Sequence, residues 1–272
     1  MRHAILGAGG VGGLIGGALA RAGHDVVLLM RPATLARYGG RLSVESAVLG
    51  DFEVDVLWVT PKATQLAAVL ALAPPERVGE AVVIPLLNGV DHIAVLRERY
   101  PNVAAAAIRV ESERVAPDRI RQTSPFLIVD LAGADAVAAE LEAAGLTVRR
   151  REDERTLLWD KLAVLAPIAL ATTGLDSSYG GVRSDERYLR CQDEAIAVAH
   201  ADGAEIDESA LRRMLERVPD GMRSSMQKDV EAGRPPELDA IAGPILRGGE
   251  RHGIPVPGTG ELVALVEART AT

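Results

Sequence analysis

The sequence has little cysteine, few aromatic residues and a deficit of positive charge, and each shortage argues against a class of function. Cys191 is the one cysteine among 272 residues, so neither an intrachain disulfide framework nor a multi-cysteine metal site can form. Aromatic residues make up 3% of the chain, which argues against base-stacking platforms for nucleic acid. The formal net charge of -8 opposes binding to DNA, RNA or anionic membranes. We therefore expect neither a nucleic-acid nor a membrane partner.

A long uninterrupted apolar run is also missing. The longest such run, residues 162–175, contains Pro167 and is shorter than the ~20 residues that a membrane span needs. Residues 2–6 have the pattern of a strand that leads into a glycine loop, rather than that of a cleavable signal. Because a single cysteine suits a reducing compartment, we expect a soluble, cytoplasmic enzyme.

The first half of the chain alternates short strand-like runs with alanine-rich helical segments. This rhythm predicts a parallel sheet flanked by helices. The predicted strands are His3–Leu6, Val26–Met30, Val54–Val59 and Val82–Leu87, with the less regular Phe126–Asp130 and Leu146–Arg149 completing the sheet.

From about Glu154 onward the strand-like runs end, and apolar residues recur at helical spacing. The predicted helices are Asp185–Ala201, Ser209–Arg217, Glu237–His252 and Gly260–Ala268. The charged run 149–155 marks the boundary, and we interpret it as a solvated strand end and helix start. The sequence thus predicts an α/β protein with a parallel-sheet domain at residues 1–152 and an all-α domain at residues 153–272.

A glycine-rich loop follows the first predicted strand. It reads Gly7-Ala8-Gly9-Gly10-Val11-Gly12, with the spacing G-x-G-x-x-G, and it opens a predicted helix at Val11–Ala22. In a Rossmann-type domain the first glycine permits a tight turn, the second lets the backbone approach a pyrophosphate, and the third allows close helix–strand packing. The helix N-terminus also favours phosphate charge. The loop therefore predicts a dinucleotide site in a Rossmann-type domain; a structural turn that binds no nucleotide is the alternative.

The end of the second predicted strand lacks the acidic residue that binds the ribose 2′-hydroxyl of NAD. The chain has Leu29-Met30-Arg31-Pro32 at this point, and an arginine can pair with the 2′-phosphate of NADP. We therefore predict NADP(H) as the cofactor and Arg31 as one of its ligands.

Six further segments give the sequence a specific resemblance. They are Val59–Gln65, Leu86–Val90, Leu158–Leu162, Ser224–Gly233, Glu237–Gly243 and Glu250–Pro257. Taken in this order, they resemble the ketopantoate reductase (2-dehydropantoate 2-reductase) family. The resemblance implies a bilobal NADPH-dependent enzyme of pantothenate biosynthesis, with its active site between the lobes, that reduces a 2-oxo acid to a 2-hydroxy acid. A small carbonyl compound would be its substrate, and a homodimer is a further implication.

The resemblance also implies roles for individual residues. Lys161 matches the general acid of the family. Lys62 and Asn88 match positions that contact cofactor and substrate, whereas Ser225 and Glu237 match residues that hold the substrate and order the site. General chemistry agrees, because hydride addition leaves negative charge on the carbonyl oxygen. A lysine with its ordinary pKa of about 10.4 offers that oxygen both a proton and a positive charge.

Each of these residues has a plainer interpretation as well. Lys161 would be a surface lysine whose stem lies along an apolar helix. Glu237 would be a first-turn carboxylate that suits the helix dipole, and Ser225 a helix cap. Lys62 and Asn88 would be ordinary loop residues. The histidines show no ligand spacing with one another or with the cysteine, so we predict no metal site.

Three residues depart from the pattern of the family. Where the family presents substrate-binding asparagines, four, eight and eighteen residues after its lysine, this chain has Leu165, Ala169 and Tyr179. Pro167 is expected to bend or break this helix. Each lost hydrogen-bond partner would weaken ketopantoate binding by roughly 1–3 kcal/mol. A reductase of the same superfamily that acts on a different ketone or imine, and a non-catalytic NADPH sensor, therefore remain alternatives.

Overall fold

A computed structural model describes residues 1–30, 33, 36, 53–116 and 119–271. Its backbone divides into two compact units, the first made of Met1–Leu87 and His92–Leu157, the second of Asn88–Asp91 and Leu158–Thr272. The four residues Asn88–Asp91 thus belong to the second unit, although the chain on both sides of them belongs to the first. The domain boundary between residues 152 and 153 stays a proposal.

The first unit contains a four-stranded parallel sheet. Its strands are β1 (Arg2–Leu6), β2 (Asp25–Leu29), β3 (Val56–Val59) and β4 (Val82–Pro85), in the order β2-β1-β3-β4. All four strands of the regular pattern are therefore confirmed, with ends shifted by one or two residues.

Five α-helices lie wholly within the described residues of the first unit, besides a 3-10 helix at Ala63–Gln65. They are α1 (Gly10–Arg21), α2 (Leu66–Leu70), α3 (Pro75–Val78), α4 (His92–Arg97) and α5 (Asp135–Ala143).

Alternate side chains of the parallel sheet enter two different cores. Ile5, Leu28 and Trp58 pack with residues of α1 and α5, whereas Leu6 and Val59 pack with residues of α2 and α4. Because both faces are covered, the strands are continuous apolar runs instead of alternating ones.

The remaining strands of the first unit form separate ladders. They are β5 (Ala106–Arg109), β6 (Ser112–Ala116), β7 (Arg119–Gln122), β8 (Ile128–Ala132) and β9 (Thr147–Arg151). β8 pairs parallel with β9 and antiparallel with β5 in a three-stranded sheet, and β6 pairs with β7 as a hairpin. The prediction that the strands near 126–130 and 146–149 complete the parallel sheet is therefore wrong, because the residues of a strand do not specify its partner.

The described residues of the second unit form helices and connecting loops, with no strand. Its helices are α6 (Glu154–Gly174), α7 (Tyr179–Val182), α8 (Glu186–Ala201), α9 (Glu208–Leu215), α10 (Ser225–Glu231), α11 (Leu238–His252) and α12 (Pro257–Thr270). The first four residues of α6 fall in the first unit. The four helices predicted beyond residue 185 are confirmed.

Helix α6 continues through Pro167, so this proline does not break the helix, whereas the bend that was the other expected outcome stays a prediction. Ala166 and Ile168 on either side are buried, and packing of this kind overrides local helix preference. By length and composition α6 could cross a membrane, but 72% of its apolar window is buried inside the protein. It is the core helix of the second unit.

Cys191 lies on α8 and is fully buried. Burial raises the pKa of its thiol to about 12. Cys191 is therefore a small residue of the helical core.

Candidate functional site

The glycine loop joins β1 to α1, and packing requires two of its glycines. Gly7 has a φ of +99°, and a Cβ at this position would lie 2.7 Å from the nitrogen of Pro61. A Cβ on Gly12 would overlap the Gly7 carbonyl oxygen and Thr60 Oγ1. Thr60 fixes the same turn, because its hydroxyl donates to the carbonyls of Leu6 and Gly7 at 3.1 and 2.6 Å. The loop is therefore held tightly against the end of β3.

Gly9, in contrast, faces open space. A Cβ placed on it would have no atom within 4 Å. Gly9 is the N-cap of α1 and makes no side-chain cap, and the first turn contains no acidic residue. The positive end of the helix is therefore not neutralised by its own side chains, as an anion site requires. Together with Ala8 and Val11, which pack against the core, this geometry fits a dinucleotide pyrophosphate.

The hairpin of β6 and β7 packs against the first turns of α1, which the sequence analysis missed. A Cβ on Gly10 would lie 2.6 Å from Ser112 Oγ, and one on Gly13 would lie 2.5 Å from Cγ1 of Ile120. Gly10 and Gly13 therefore have no side chain because the hairpin leaves no room for one. The available signal was Pro117-Asp118 between two short runs that contain valine and isoleucine, because proline and aspartate are common turn residues.

Of two further predicted cofactor ligands, the structure describes only Lys62. Arg31 lies outside the described residues; Met30, just before it, is buried. Lys62 follows β3 and is half-buried, and its carbonyl accepts a hydrogen bond from Gln65 N at 2.8 Å in the next turn. Lys62 thus stands beyond the carboxyl end of a parallel strand, where open α/β sheets bind ligands.

Asn88 and Glu237 are brought together although 149 residues separate them. Asn88 Nδ2 donates to Glu237 Oε2 at 3.2 Å, and both side chains are half-buried. Glu237 occupies the N-cap position of α11, but its side chain makes no capping bond. Next to Asn88, Gly89 has a φ of +86°, and a Cβ there would overlap the carbonyl oxygen of Ala240. The Asn88 segment therefore docks closely on the start of α11.

Lys161 lies within α6, two turns from its first residue, and is half-buried. Leu165 and Ala169 follow at four and eight residues, on the same helix face. Leu165 is half-buried and Ala169 is fully buried. The helix face that continues from Lys161 is therefore apolar.

Tyr179 is part of the helical core. It is 3% exposed, and its hydroxyl donates to the Leu215 carbonyl at 3.3 Å and lies 3.4 Å from the Tyr188 hydroxyl. Burial, with a smaller contribution from Tyr179, raises the pKa of Tyr188 well above its ordinary range. The hydroxyl of Tyr179 is thus engaged inside the unit.

The cap of α10 is Ser224, so the plainer interpretation of Ser225 as a cap is wrong. Ser224 Oγ accepts from Gln227 N at 3.1 Å and from Thr172 Oγ1 at 2.8 Å. Ser225 is the first residue of α10 and is exposed. Because Thr172 lies on α6, the helix of Lys161 also fixes the helix start that carries Ser225.

His3, His24 and Glu140 come together in the first unit, with ligand atoms within 4.8 Å of one another. The spacing of the histidines along the sequence therefore did not reveal that two of them lie close together with a carboxylate. Trp58 Nε1 donates to His3 Nδ1 at 3.2 Å. Because an indole only donates, neutral His3 carries its proton on Nε2, which lies 3.1 Å from Glu140 Oε2. A metal ion would need that nitrogen's lone pair, so this tautomer opposes a metal, and the lack of one stays a prediction.

Comparison with known proteins assigns the family. The model described as "Ketopantoate reductase PanE/ApbA" matches residues 3–130, and that described as "Ketopantoate reductase PanE/ApbA C terminal" matches residues 153–270. The chain belongs to the ketopantoate reductase family. A 2-dehydropantoate 2-reductase of Mycobacterium tuberculosis is 33% identical over 227 residues, which cover 79% of this chain and 76% of the relative.

Solved structures agree with this assignment. The crystal structure of a PanE/ApbA family ketopantoate reductase from Ralstonia eutropha JMP134 has a TM-score of 0.87 at 30% identity, covering 100% of this chain and 99% of that one. The complex of D-mandelate dehydrogenase with NADH has a TM-score of 0.89 with the same coverage, but at 22% identity it shows the fold alone. As a ketopantoate reductase family member, the chain is an oxidoreductase with a nicotinamide cofactor and a small-molecule substrate.

In this family fold the candidate residues divide between the two units. The glycine loop and Lys62 belong to the first unit, whereas Asn88, Lys161, Ser225 and Glu237 belong to the second. The sequence analysis missed the side chains that support them, namely Thr60, Ser112, Thr172 and Ser224. The contacts of Thr60, Ser112 and Thr172 join segments far apart in the sequence, so no local pattern marks them. Ser224 also caps its helix locally, and the spacing Ser224-x-x-Gln227 was the signal available for it.

Proposed function

We propose that this chain is an NADPH-dependent reductase that converts a 2-oxo acid into a 2-hydroxy acid by hydride transfer to the carbonyl carbon. The observation that carries the proposal is the Asn88–Glu237 hydrogen bond, made in the same unit as the half-buried Lys161. A proton donor and a fixed polar pair are what carbonyl reduction needs from the protein.

Lys161 is the proposed general acid. Its ammonium group would donate a proton to the carbonyl oxygen and stabilise the negative charge that develops there. A bound nicotinamide cofactor supplies the hydride. Glu237 accepts one N–H of Asn88 and so fixes which way the amide points, leaving its other N–H and its oxygen at defined positions for a ligand. Ser225, exposed at the start of α10, is proposed to bind the substrate.

The cofactor proposal rests on the glycine loop and on Arg31. The backbone of Gly7–Gly12 would hold the pyrophosphate, with Lys62 and Asn88 as further contacts. Arg31 would pair with the 2′-phosphate, because no acidic side chain stands at positions 29–31 to bind a free 2′-hydroxyl.

The substrate is proposed to be more apolar than ketopantoate. Leu165 and Ala169 cannot donate hydrogen bonds to a hydroxyl or carboxylate, and the hydroxyl of Tyr179 is engaged in the core. A hydroxylated substrate would lose partners worth roughly 1–3 kcal/mol each. This favours a 2-oxo acid with an apolar side chain, or another ketone or imine, over ketopantoate.

A substrate panel tests these points. NADPH oxidation is followed by absorbance with ketopantoate, apolar 2-oxo acids, ketones and imines. We expect turnover of an apolar 2-oxo acid and a loss of about 10²–10⁴-fold in kcat for Lys161→Ala. The exposed Lys228→Ala is the matched control and should retain activity.

Three other outcomes would change the proposal. Rapid turnover of ketopantoate would refute the apolar substrate. A preference for NADH, unchanged in Arg31→Ala, would refute the NADP assignment. Tight NADPH binding without turnover on the whole panel would favour a sensor. A homodimer, implied by the family resemblance, and a cytoplasmic location, expected from the single cysteine, remain proposals; light scattering measures the first. A place in pantothenate biosynthesis, which the family name implies, would require turnover of ketopantoate.

A further inference from the structure

The segment Asn88–Asp91 is fastened to helix α11 at both of its ends. At one end Asn88 donates to Glu237 at the start of the helix. At the other, Asp91 Oδ2 accepts from a guanidinium nitrogen of Arg247 at 2.6 Å. Between them Gly89 touches the helix backbone and Val90 packs against the helical core. The orientation of Asn88 thus depends on how the whole segment is held.

Arg247 reaches this segment by lying flat along its own helix. Its other guanidinium nitrogen donates to Asp239 Oδ1 at 2.6 Å, eight residues earlier. A Cβ on Gly243 would overlap the Arg247 guanidinium and would lie 2.6 Å from Asp239 Oδ1. Because Gly243 has no side chain, the Arg247 side chain can lie across it. Asp239 then holds the guanidinium where it also reaches Asp91.

We propose that Arg247, bridging Asp91 and Asp239, is a positioning residue that holds the Asn88–Glu237 pair in its working geometry. This inference rests on the proposed function, because it assigns the pair a role in the reaction. Arg247 and Asp91 are 47% and 53% exposed. Ion pairs of that exposure contribute little to global stability. The principal effect of the bridge is therefore local, on the backbone that presents Asn88.

The test compares two arginines of the same helix. Arg247→Gln removes the bridge, and Arg251→Gln is the matched control, since Arg251 is 57% exposed and pairs with Asp202. We expect Arg247→Gln to lower kcat/KM by about three- to ten-fold, with a melting temperature equal to that of Arg251→Gln. Arg247→Lys should recover part of the loss. Asp91→Asn should match Arg247→Gln, and the double variant should be no worse than either, because both changes break one bridge.

A second measurement does not depend on turnover. The side-chain amide resonances of Asn88, identified by their loss in Asn88→Asp, should shift in Arg247→Gln and stay in place in Arg251→Gln. If kcat/KM and these resonances are both unchanged in Arg247→Gln, or if the two arginine variants behave alike, the proposal is overturned. If the resonances shift but the wild-type chain turns over nothing, the proposed function fails while the positioning by Arg247 stands.

Discussion

At the residue scale, two glycines of one loop should respond differently to an added methyl group. Gly12→Ala would overlap the Gly7 carbonyl and Thr60, and overpacking of this kind destabilises by about 1–3 kcal/mol. Gly9→Ala meets no protein atom within 4 Å, so its methyl group would fill only the space proposed for the pyrophosphate.

Thermal unfolding and NADPH titration separate the two effects. Gly12→Ala should lower the melting temperature by several degrees. Gly9→Ala should keep the melting temperature and weaken NADPH binding by about ten-fold or more. Unaltered NADPH affinity in a fully folded Gly9→Ala would argue that the cofactor lies elsewhere.

His3 should make the protein less stable in mild acid. Burial lowers its pKa from 6.5 to about 4. As the pH falls through this window, the unfolded chain binds a proton that the folded chain does not. The free energy of unfolding therefore falls by at most about 1.4 kcal/mol per pH unit. Above pH 6.5 His3 is neutral in both the folded and the unfolded chain, so it no longer makes the stability depend on pH.

Urea denaturation at a series of pH values measures this slope. His3→Asn keeps an acceptor for Trp58 and cannot be protonated, so it should flatten the curve between these two pKa values. His200→Asn, at a histidine whose side chain is 43% exposed, is the control for the substitution itself. An unchanged slope in His3→Asn would assign the acid sensitivity to other groups.

The sequence indicated which residues to consider at the site but not what they touch. Lys161, Asn88 and Glu237 stand in recognisable motifs, yet the hydrogen bond between Asn88 and Glu237 spans 149 positions. For the same reason the sequence did not predict the cluster of His3, His24 and Glu140, which are far apart along the chain and meet only where α5 packs beside β1. Ser224 and Ser225 show that sequence reasoning also fails over short distances. The helix begins one residue earlier than the plainer interpretation assumed, so Ser224 and not Ser225 is its cap.

At the element scale, the start of helix α12 depends on a buried carboxylate from α8. Glu194 accepts from the Gly258 and Thr259 backbone N–H groups and from Thr259 Oγ1, each at 2.7 Å. Glu194→Gln replaces one acceptor oxygen by an amide that can only donate. We expect a loss of about 2–4 kcal/mol in the free energy of unfolding.

Chemical denaturation of a matched pair checks this. Glu261→Gln, in α12 itself, breaks an ion pair of a 47% exposed carboxylate with Arg190 and should cost less than about 1 kcal/mol. Equal losses in the two variants would mean that the buried carboxylate does not anchor the helix.

Individual helices and strands were predicted better than the pairing of the strands, for a physical reason. A helix is specified by residues three and four apart, so apolar spacing alone located α8, α9, α11 and α12. A strand needs a partner that its own residues do not name, and so β8 and β9 were placed in the wrong sheet. Pro167 does not break α6, because packing around this helix outweighs the hydrogen bond that proline removes.

At the scale of the whole molecule, the second unit is assembled from two separate stretches of chain. Residues 88–91 provide Val90 to its core, a partner for Glu237 and a partner for Arg247. An isolated fragment of residues 158–272 should therefore unfold at a lower temperature than one that carries Asn88–Asp91 on a flexible linker. Identical melting temperatures for the two fragments would show that the short segment contributes nothing to the stability of the unit.

The same four residues constrain how such a protein can be rearranged by recombination. A single crossover near residue 153 would join a foreign helix α11 to a native Asn88 segment, separating Gly89 from the helix turn it contacts and Asp91 from its arginine. A chimera that exchanges residues 88–91 together with the helical unit keeps these contacts from one parent. A recombinant protein therefore keeps the contacts of this candidate site only when it takes two blocks of sequence from one parent, one of them four residues long.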